Sequence, residues 1–475
     1  MPVSPRYTPD PRHPELGDGF FDPVRPADFP AHILRLRNRR WAERLGLDTL
    51  TAEEWIAHFA RFEPLPGNLP QPLALRYHGH QFMQYNPDLG DGRGFLFAQL
   101  RDPEDGRLLD FGTKGSGRTP WSRGGDGRLT LKGGVREVLA TSMLEALGVY
   151  TSKSFSLVET GEALHRGDEP SPTRSSVLVR LSHSHIRIGS FQRHAFNEDA
   201  ERLQRLTDYT ILTYMPQAWN DDPAARAAAL LREACVNVAR MGASWYAAGF
   251  VHGVLNTDNI TVTGESFDYG PYRFLPVFDP RFTAAYFDRN GLYAFGRQPT
   301  VLHWNLERLA ECLSFLCEEA PLVAAMDAFA PAFETAMRSE VLRRLGLASN
   351  GHEADGELIR EVYRFLGASR AGYERFFFDW RGGLAGEWRA ESSPEAAKYA
   401  GPDFAPLRAV LEGYAPSEDA NLGHPYFAGE PCTLLIDEIE RIWAPIAEKD
   451  DWSLFEAKLD TIRVMGEAYG TLPAT

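Results

Sequence analysis

Apolar residues recur in two rhythms along these 475 residues. In the front half they alternate, or run in short blocks cut by glycine, which is the pattern of strands and tight turns. Leu73 to Leu109 reads as strand and turn, centred on Leu89-Gly90-Asp91-Gly92-Arg93-Gly94 and followed by Phe95-Leu96-Phe97. Glycines there would let a hairpin turn tightly and let backbone N–H groups approach a ligand. Leu108 to Lys114 is a further strand with a lysine near its end, and more strands are expected around Ser154–Val158 and Ser176–Leu181. Between those two, Arg166–Arg174 carries two prolines and mixed charge, the mark of a surface loop. A short helix is expected over Ala52–Phe62. A longer one runs from Gly133 to Gly148, where Val135, Val138, Leu139, Met143, Ala146 and Leu147 form an apolar stripe at helical spacing.

From about Asp221 the rhythm turns helical. Asp222 caps, Pro223 takes the first helical position, and Leu230, Ala234, Val238, Met241 and Trp245 line one face up to Gly249. That helix delivers the chain into His252. A hairpin is expected at Ile260–Phe267, turning at Gly264-Glu265, and Leu302, Leu306, Leu309, Leu313 and Leu316 mark another buried helix. The remainder reads as helical, broken at Ser349–Gly356, Ser392–Gly401 and Ala415–Gly423. A β-rich front feeding a helical back is an α+β arrangement, in the order of a two-lobed protein-kinase-like fold. The division expected is an N-terminal extension over 1–70, a nucleotide-binding small lobe over 71–205, a large lobe over 206–330 and a helical region over 331–475. The first thirty residues, rich in Pro and Asp, read as an extended surface arm.

Composition narrows the function. A net charge of -15 argues against non-specific nucleic-acid binding, while leaving room for a local basic pocket. Four cysteines are too few for a disulfide framework, and Cys312 and Cys317 lack the further partners a zinc site needs. No run of 18 apolar residues exists, so no membrane span is expected. A cytoplasmic setting with reduced thiols is expected from the cysteines, and a monomer is expected.

The most informative stretch is His252-Gly253-Val254-Leu255-Asn256-Thr257-Asp258-Asn259-Ile260. It resembles a kinase catalytic loop, in which a catalytic Asp is followed five residues later by a metal-binding Asn. Asn259 stands where that Asn belongs. The Asp position holds Val254, which can neither accept a proton nor hold a metal, and an acid reappears at Asp258. The other parts of a phosphate site follow in order: a glycine-rich turn at Gly90, Gly92 and Arg93, a strand Lys114 that a helix Glu137 could hold, and Asp268 opening Asp-Tyr-Gly. Asn259 and Asp268 are hard oxygen donors suited to Mg²⁺ or Mn²⁺. Arg180 and Arg187 flank Ser182-His183-Ser184-His185 and could fork phosphate oxygens. Asp110-Phe111-Gly112 matches the kinase metal tripeptide letter for letter, but lies more than a hundred residues too early and is read as coincidence.

Together, Tyr77-x-Gly79-His80-Gln81-Phe82, Leu89-Gly90-Asp91-Gly92-Arg93, the run from Lys114 to Arg128, Arg136-Glu137, the Asp258-Asn259 loop and Asp268-Tyr269-Gly270-Pro271 closely resemble the SelO (YdiU, selenoprotein O) family. The resemblance covers roughly residues 70 to 320. It implies a kinase-like fold that transfers AMP from ATP to Ser, Thr or Tyr hydroxyls of protein partners, with pyrophosphate leaving. Carried over by motif, Lys114 would hold the polyphosphate and Glu137 would orient it. Gly90, Gly92, Arg93, Asp126, Gly127, Arg180 and Arg187 would surround the nucleotide. Asn259 and Asp268 would bind metal, and Asp258 would be the proton acceptor. Two departures stand out. Met83 to Asp88 replaces a stretch that is more glycine- and aromatic-rich in the family, and the C-terminal Cys or selenocysteine is missing, which puts a redox switch in doubt. Uridylyl transfer from UTP with Mn²⁺, a kinase with a displaced base and a non-catalytic nucleotide-binding scaffold stand as alternatives.

Overall fold

The computed structural model describes residues 4–167 and 169–473. Met1–Val3 of the expected arm, Asp168 of the loop at 166–174, and the last two residues lie outside them. The fold is mixed α+β around a curled antiparallel sheet. Its strand order is Phe21–Pro23, Leu73–Leu75, Leu96–Arg101, Leu108–Lys114, Thr173–Ser182, Lys153–Leu164, Ile33–Arg37, with the short Leu129–Thr130 pairing onto Thr173–Ser182. Both outer strands come from the first forty residues. The expected surface arm is therefore corrected: His13, Leu16, Phe20, Val24 and Phe29 are buried, the four apolar ones as members of the hydrophobic cores that flank the sheet.

One face of the sheet packs an aromatic core that includes Trp55, Phe59, Phe97, Phe111 and Phe155. The other receives the helix Leu131–Ala146. Thr130 caps that helix by accepting from the Gly133 N–H at 3.1 Å. A Cβ at Gly134 would come within 2.6 Å of Leu157, so the glycine lets helix and sheet approach closely. Glu137, one turn further on, is thereby set against the end of strand Leu108–Lys114.

The expected helices are present with modest end shifts: Ala52–Phe59, Leu131–Ala146, Pro223–Ala247 capped by Asp222, and Gln298–Leu313. Gly249, at φ 63, ends the 223–247 helix tightly against Tyr373, and strand Phe250–His252 then pairs with Tyr272–Phe274. Two expected turns are corrected. Ile260–Phe267 turns, with the Gly264 N–H donating to the Thr261 carbonyl at 3.2 Å, but forms no pair of strands. Thr261 bridges Arg187 and Ser266 bridges Thr151, tying the segment to the sheet half instead. Residues 90–94 are not a hairpin turn: the Asp91 N–H donates to the Leu75 carbonyl at 3.0 Å, the Arg93 carbonyl accepts from the Gly115 N–H at 2.7 Å, and Gly90 and Gly92 have no left-handed backbone. Their role is space: a Cβ at Gly90 would meet the Trp121 ring at 2.4 Å, and one at Gly92 the Trp121 carbonyl at 2.9 Å.

The helical C-terminal region packs on this frame. Helix Ser453–Ala468 lies along the helix that carries Glu137, and Thr471 donates to the Ala146 carbonyl at 2.7 Å, satisfying an end group of that helix. Among the described residues no helix is long and apolar enough to cross a membrane. All four cysteines are free thiols.

Candidate active site

A cleft of about 610 Å³ opens between the sheet and the 252–270 segment. Its position follows from strand register. Lys114 lies opposite Leu178, and Gly112 opposite Arg180. With a side-chain period of two, Lys114 and Arg180 project on the same face as diagonal neighbours. Lys114 is buried, and its ammonium donates to Glu137 and to Asp268, each at 2.6 Å. Arg180 Nη1 lies 3.4 Å from Glu137 and 3.5 Å from Asp268. A surface Lys–Glu pair would be worth little, but this one is desolvated, so losing one partner strands a buried charge.

Asp268 sits at φ 61, in the left-handed region that non-glycine residues rarely adopt. That backbone turns its carboxylate onto Lys114 while the side chain stays 26% exposed. Burial alone would raise its pKa, but Lys114 and Arg180 hold it well below the ordinary carboxylate value.

Asp258 is the opposite case. It is 8% exposed, and its Oδ1 has no hydrogen-bond partner. Burial pushes its pKa up to about 6, against the opposing pull of Arg187. Gly79 makes room for it, since a Cβ there would lie 3.1 Å from Asp258 Oδ1. The loop holding Asp258 is fixed from several sides. His252 Nε2 lies 3.2 Å from the Phe267 carbonyl, Asn256 accepts from the Tyr293 hydroxyl at 2.8 Å, and Thr257 Oγ1 accepts from the His80 N–H at 2.7 Å.

Arg187 is fully packed. It stacks on Tyr77 at 4.2 Å and on Phe267 at 5.0 Å, and Nη2 lies 3.2 Å from Asp91. Asp91 is in turn oriented by the Leu75 N–H at 3.1 Å. The Nε atoms of both Arg180 and Arg187 are buried without partners. On the outer side, Asp126 pairs with Arg166 at 2.8 Å. Gly127, at φ 71, packs against the Gly117 carbonyl, closing the base of the 115–128 loop.

Of the expected residues, Gly90, Gly92, Arg93, Lys114, Asp126, Gly127, Arg180, Arg187, Asp258 and Asp268 line this one cleft. Glu137 stands behind Lys114. Asn259 does not line the cleft; its amide donates to the Val254 carbonyl at 3.1 Å. Among the described residues no group of three or more His, Cys, Asp or Glu side chains could hold a metal ion. Of the two expected metal ligands, Asp268 alone lines the cleft, and its carboxylate accepts from Lys114. Tyr77, Asp91, Trp121, Arg123, Arg128 and Arg166 also line the cleft without having been expected there as site residues. Asp91 and Tyr77 lay in legible motifs, but nothing in sequence spacing marks Arg166, which reaches Asp126 across forty residues. Cationic side chains outnumber carboxylates along the wall by seven to four, a local inversion in a chain of net charge -15. Such a wall suits a polyphosphate.

The sequence model of the family described as protein adenylyltransferase SelO matches residues 5–463. The chain belongs to the SelO family. It is 46% identical over 462 residues to a protein of Synechocystis sp. named protein nucleotidyltransferase YdiU, covering 94% of this chain and 96% of that one. A Gloeobacter violaceus protein of the same name is 46% identical over 463 residues, covering 96% and 94%. One from Vibrio cholerae is 36% identical over 365 residues, covering 77% and 73%. The match extends well past the 70–320 core of the sequence resemblance, into the sheet edges and C-terminal helices. The enzyme class expected from the sequence, a nucleotidyltransferase, agrees with these names.

Proposed function

We propose that this SelO-family chain is a metal-dependent protein adenylyltransferase with a kinase-like, two-lobed frame, in which residues 71–205 and 206–330 form the lobes around the cleft. It would act as a cytoplasmic monomer on Ser, Thr or Tyr hydroxyls of protein partners. The observation that carries the reading is Asp258. It is a buried carboxylate with an unpartnered oxygen, in the same cleft as Lys114, Arg180, Arg187 and Asp268, while the kinase base position holds Val254.

In this reaction an acceptor hydroxyl attacks the α-phosphorus of ATP. A new oxygen–phosphorus bond forms, and the bond from the α-phosphorus to the bridging oxygen breaks as pyrophosphate leaves. Asp258 takes the hydroxyl proton, a role that its pKa of about 6 suits at neutral pH. Lys114, Arg180 and Arg187 hold the negative charge of the phosphates, oriented by Glu137, Asp268 and Asp91. Asp268 and Asn259 would hold Mg²⁺ or Mn²⁺, which supplies charge neutralisation when bound.

ATP labelled at either the α or the γ phosphate tests the reading. With Mg²⁺ or Mn²⁺, label should pass to protein from the α position and not from the γ. Label from γ alone would make the chain a kinase with a displaced base. ATP binding with no transfer under either metal would leave a scaffold.

A further inference from the structure

We infer that protein acceptors dock on an exposed aromatic surface beside Asp258, formed by the tip of the 79–86 hairpin and the 286–287 turn. The partner is an extended segment with an aromatic or long aliphatic side chain two to four residues from the acceptor hydroxyl, accompanied by acidic residues. This inference rests on the proposed transfer to protein hydroxyls and adds where the acceptor binds.

The hairpin pairs Gly79 with Asn86, His80 with Tyr85 and Gln81 with Gln84, leaving Phe82 and Met83 as its two turn residues. Both have left-handed backbones, at φ 49 and 61. A two-residue turn of this type ordinarily takes Asn-Gly, because side-chain sterics oppose positive φ at both positions. Two bulky apolar residues held there, one of them 39% exposed, are an outlier that points toward use. The Phe82 ring lies 5.8 Å from Phe287, which lies 5.1 Å from Tyr286. Phe287 is 46% and Tyr286 83% exposed, so the rings make one contiguous apolar surface rather than scattered side chains.

This surface is wired to the catalytic loop. The Phe82 N–H donates to Asn256 at 3.1 Å, and Asn256 precedes Asp258 by two residues. Gly79, at the other end of the same hairpin strand, packs against the Asp258 carboxylate. An extended peptide advances about 3.3 Å per residue, so a hydroxyl at Asp258 puts the side chains two to four positions away at about 7 to 13 Å, the span of the hairpin. Charge points the same way. Arg281 and Arg289, in the segment bearing Tyr286 and Phe287, are exposed in a chain of net charge -15. Among the described residues Arg281 pairs with Asp279 alone, at 3.9 Å, and Asp288 is turned inward onto the Leu292 and Tyr293 N–H groups.

The test uses the full chain and an immobilised peptide library. Each peptide has a central Ser, Thr or Tyr, with Phe, Leu, Asp or Gly scanned through the flanking positions. Bound protein and transferred α-label are counted for wild type, for Tyr286→Ser/Phe287→Ser, and for Met83→Gly. Wild type should favour Phe or Leu at one offset of two to four residues, strengthened by a neighbouring Asp. The double variant should lose that preference and raise the apparent KM for such peptides about tenfold, with ATP affinity unchanged as proof of folding. Met83→Gly should weaken the same preference in part. No preference in wild type, or the same preference in the double variant, overturns the inference. So does a change in oligomeric mass on substitution, which would make the surface a contact between copies of this chain. Selective binding without label transfer would sustain the docking surface and overturn the adenylyltransferase reading instead.

Discussion

Asp110-Phe111-Gly112 and Asp268-Tyr269-Gly270 are nearly the same tripeptide, and the fold uses them in opposite ways. The first lies in a regular strand. Asp110 is buried, accepts from Gln99 at 2.6 Å and from the His185 N–H at 2.9 Å, and does not face the cleft. Phe111 fills the aromatic core, and Gly112 leaves room for the His185 ring, which a Cβ there would meet at 2.2 Å. The second follows Phe267 into a left-handed turn, which presents Asp268 to Lys114 and Arg180. Both carboxylates are held below the ordinary value against the effect of burial, Asp110 by the His185 and Gln99 hydrogen bonds and Asp268 by cations. Depressed acidity therefore does not distinguish them. What does is whether the partners are fixed protein groups or groups that also face a ligand.

Substitutions should separate the two. Asp268→Ala is expected to lower label transfer by about a thousandfold or more in protein that is still folded by circular dichroism; full activity would sink the metal and phosphate roles. Glu137→Gln should cost about ten- to a hundredfold in transfer rate, because Lys114 loses its charged orienting partner but keeps a hydrogen bond, and the loss should appear in kcat/KM for ATP. Asp110→Ala should do the reverse. It leaves the Gln99 amide and the His185 N–H unpaired in the core, so denaturant unfolding should show a loss of about 1–3 kcal/mol, with the transfer rate of the folded protein within about twofold of wild type. A large catalytic defect in Asp110→Ala at full stability would break the comparison.

Much of the site was legible because it lies on regular elements. Lys114 ends a strand whose apolar run is plain, Glu137 follows a clear helical stripe, and their order along the chain carried the pairing. Chain order also disposed of Asp110. The readings that failed depended on long-range contacts. The 260–267 segment has the composition of a hairpin, yet its backbone groups bond to those of Ile186, Ile188, Tyr150 and Ser152. The glycines at 90 and 92 read as turn formers, but they answer to Trp121, thirty residues away. The Pro-rich opening carries no periodicity, so nothing local announces that Phe21–Pro23 closes one edge of the sheet. Arg166 reaches the cleft through its tertiary pairing with Asp126 alone.

The proposed transfer depends on Asp258 serving as the proton acceptor in place of the vacated position at Val254. The most direct measurement is the single-turnover rate of AMP transfer from about pH 5 to about pH 8, for wild type and Asp258→Asn. A base must be ionised to act, so the wild-type rate should fall about tenfold per pH unit below about 6 and level off above it. Asp258→Asn should be slower by about a hundredfold or more, with that inflection gone, and should still bind ATP. A variant that keeps both the rate and the inflection would show that another group takes the proton.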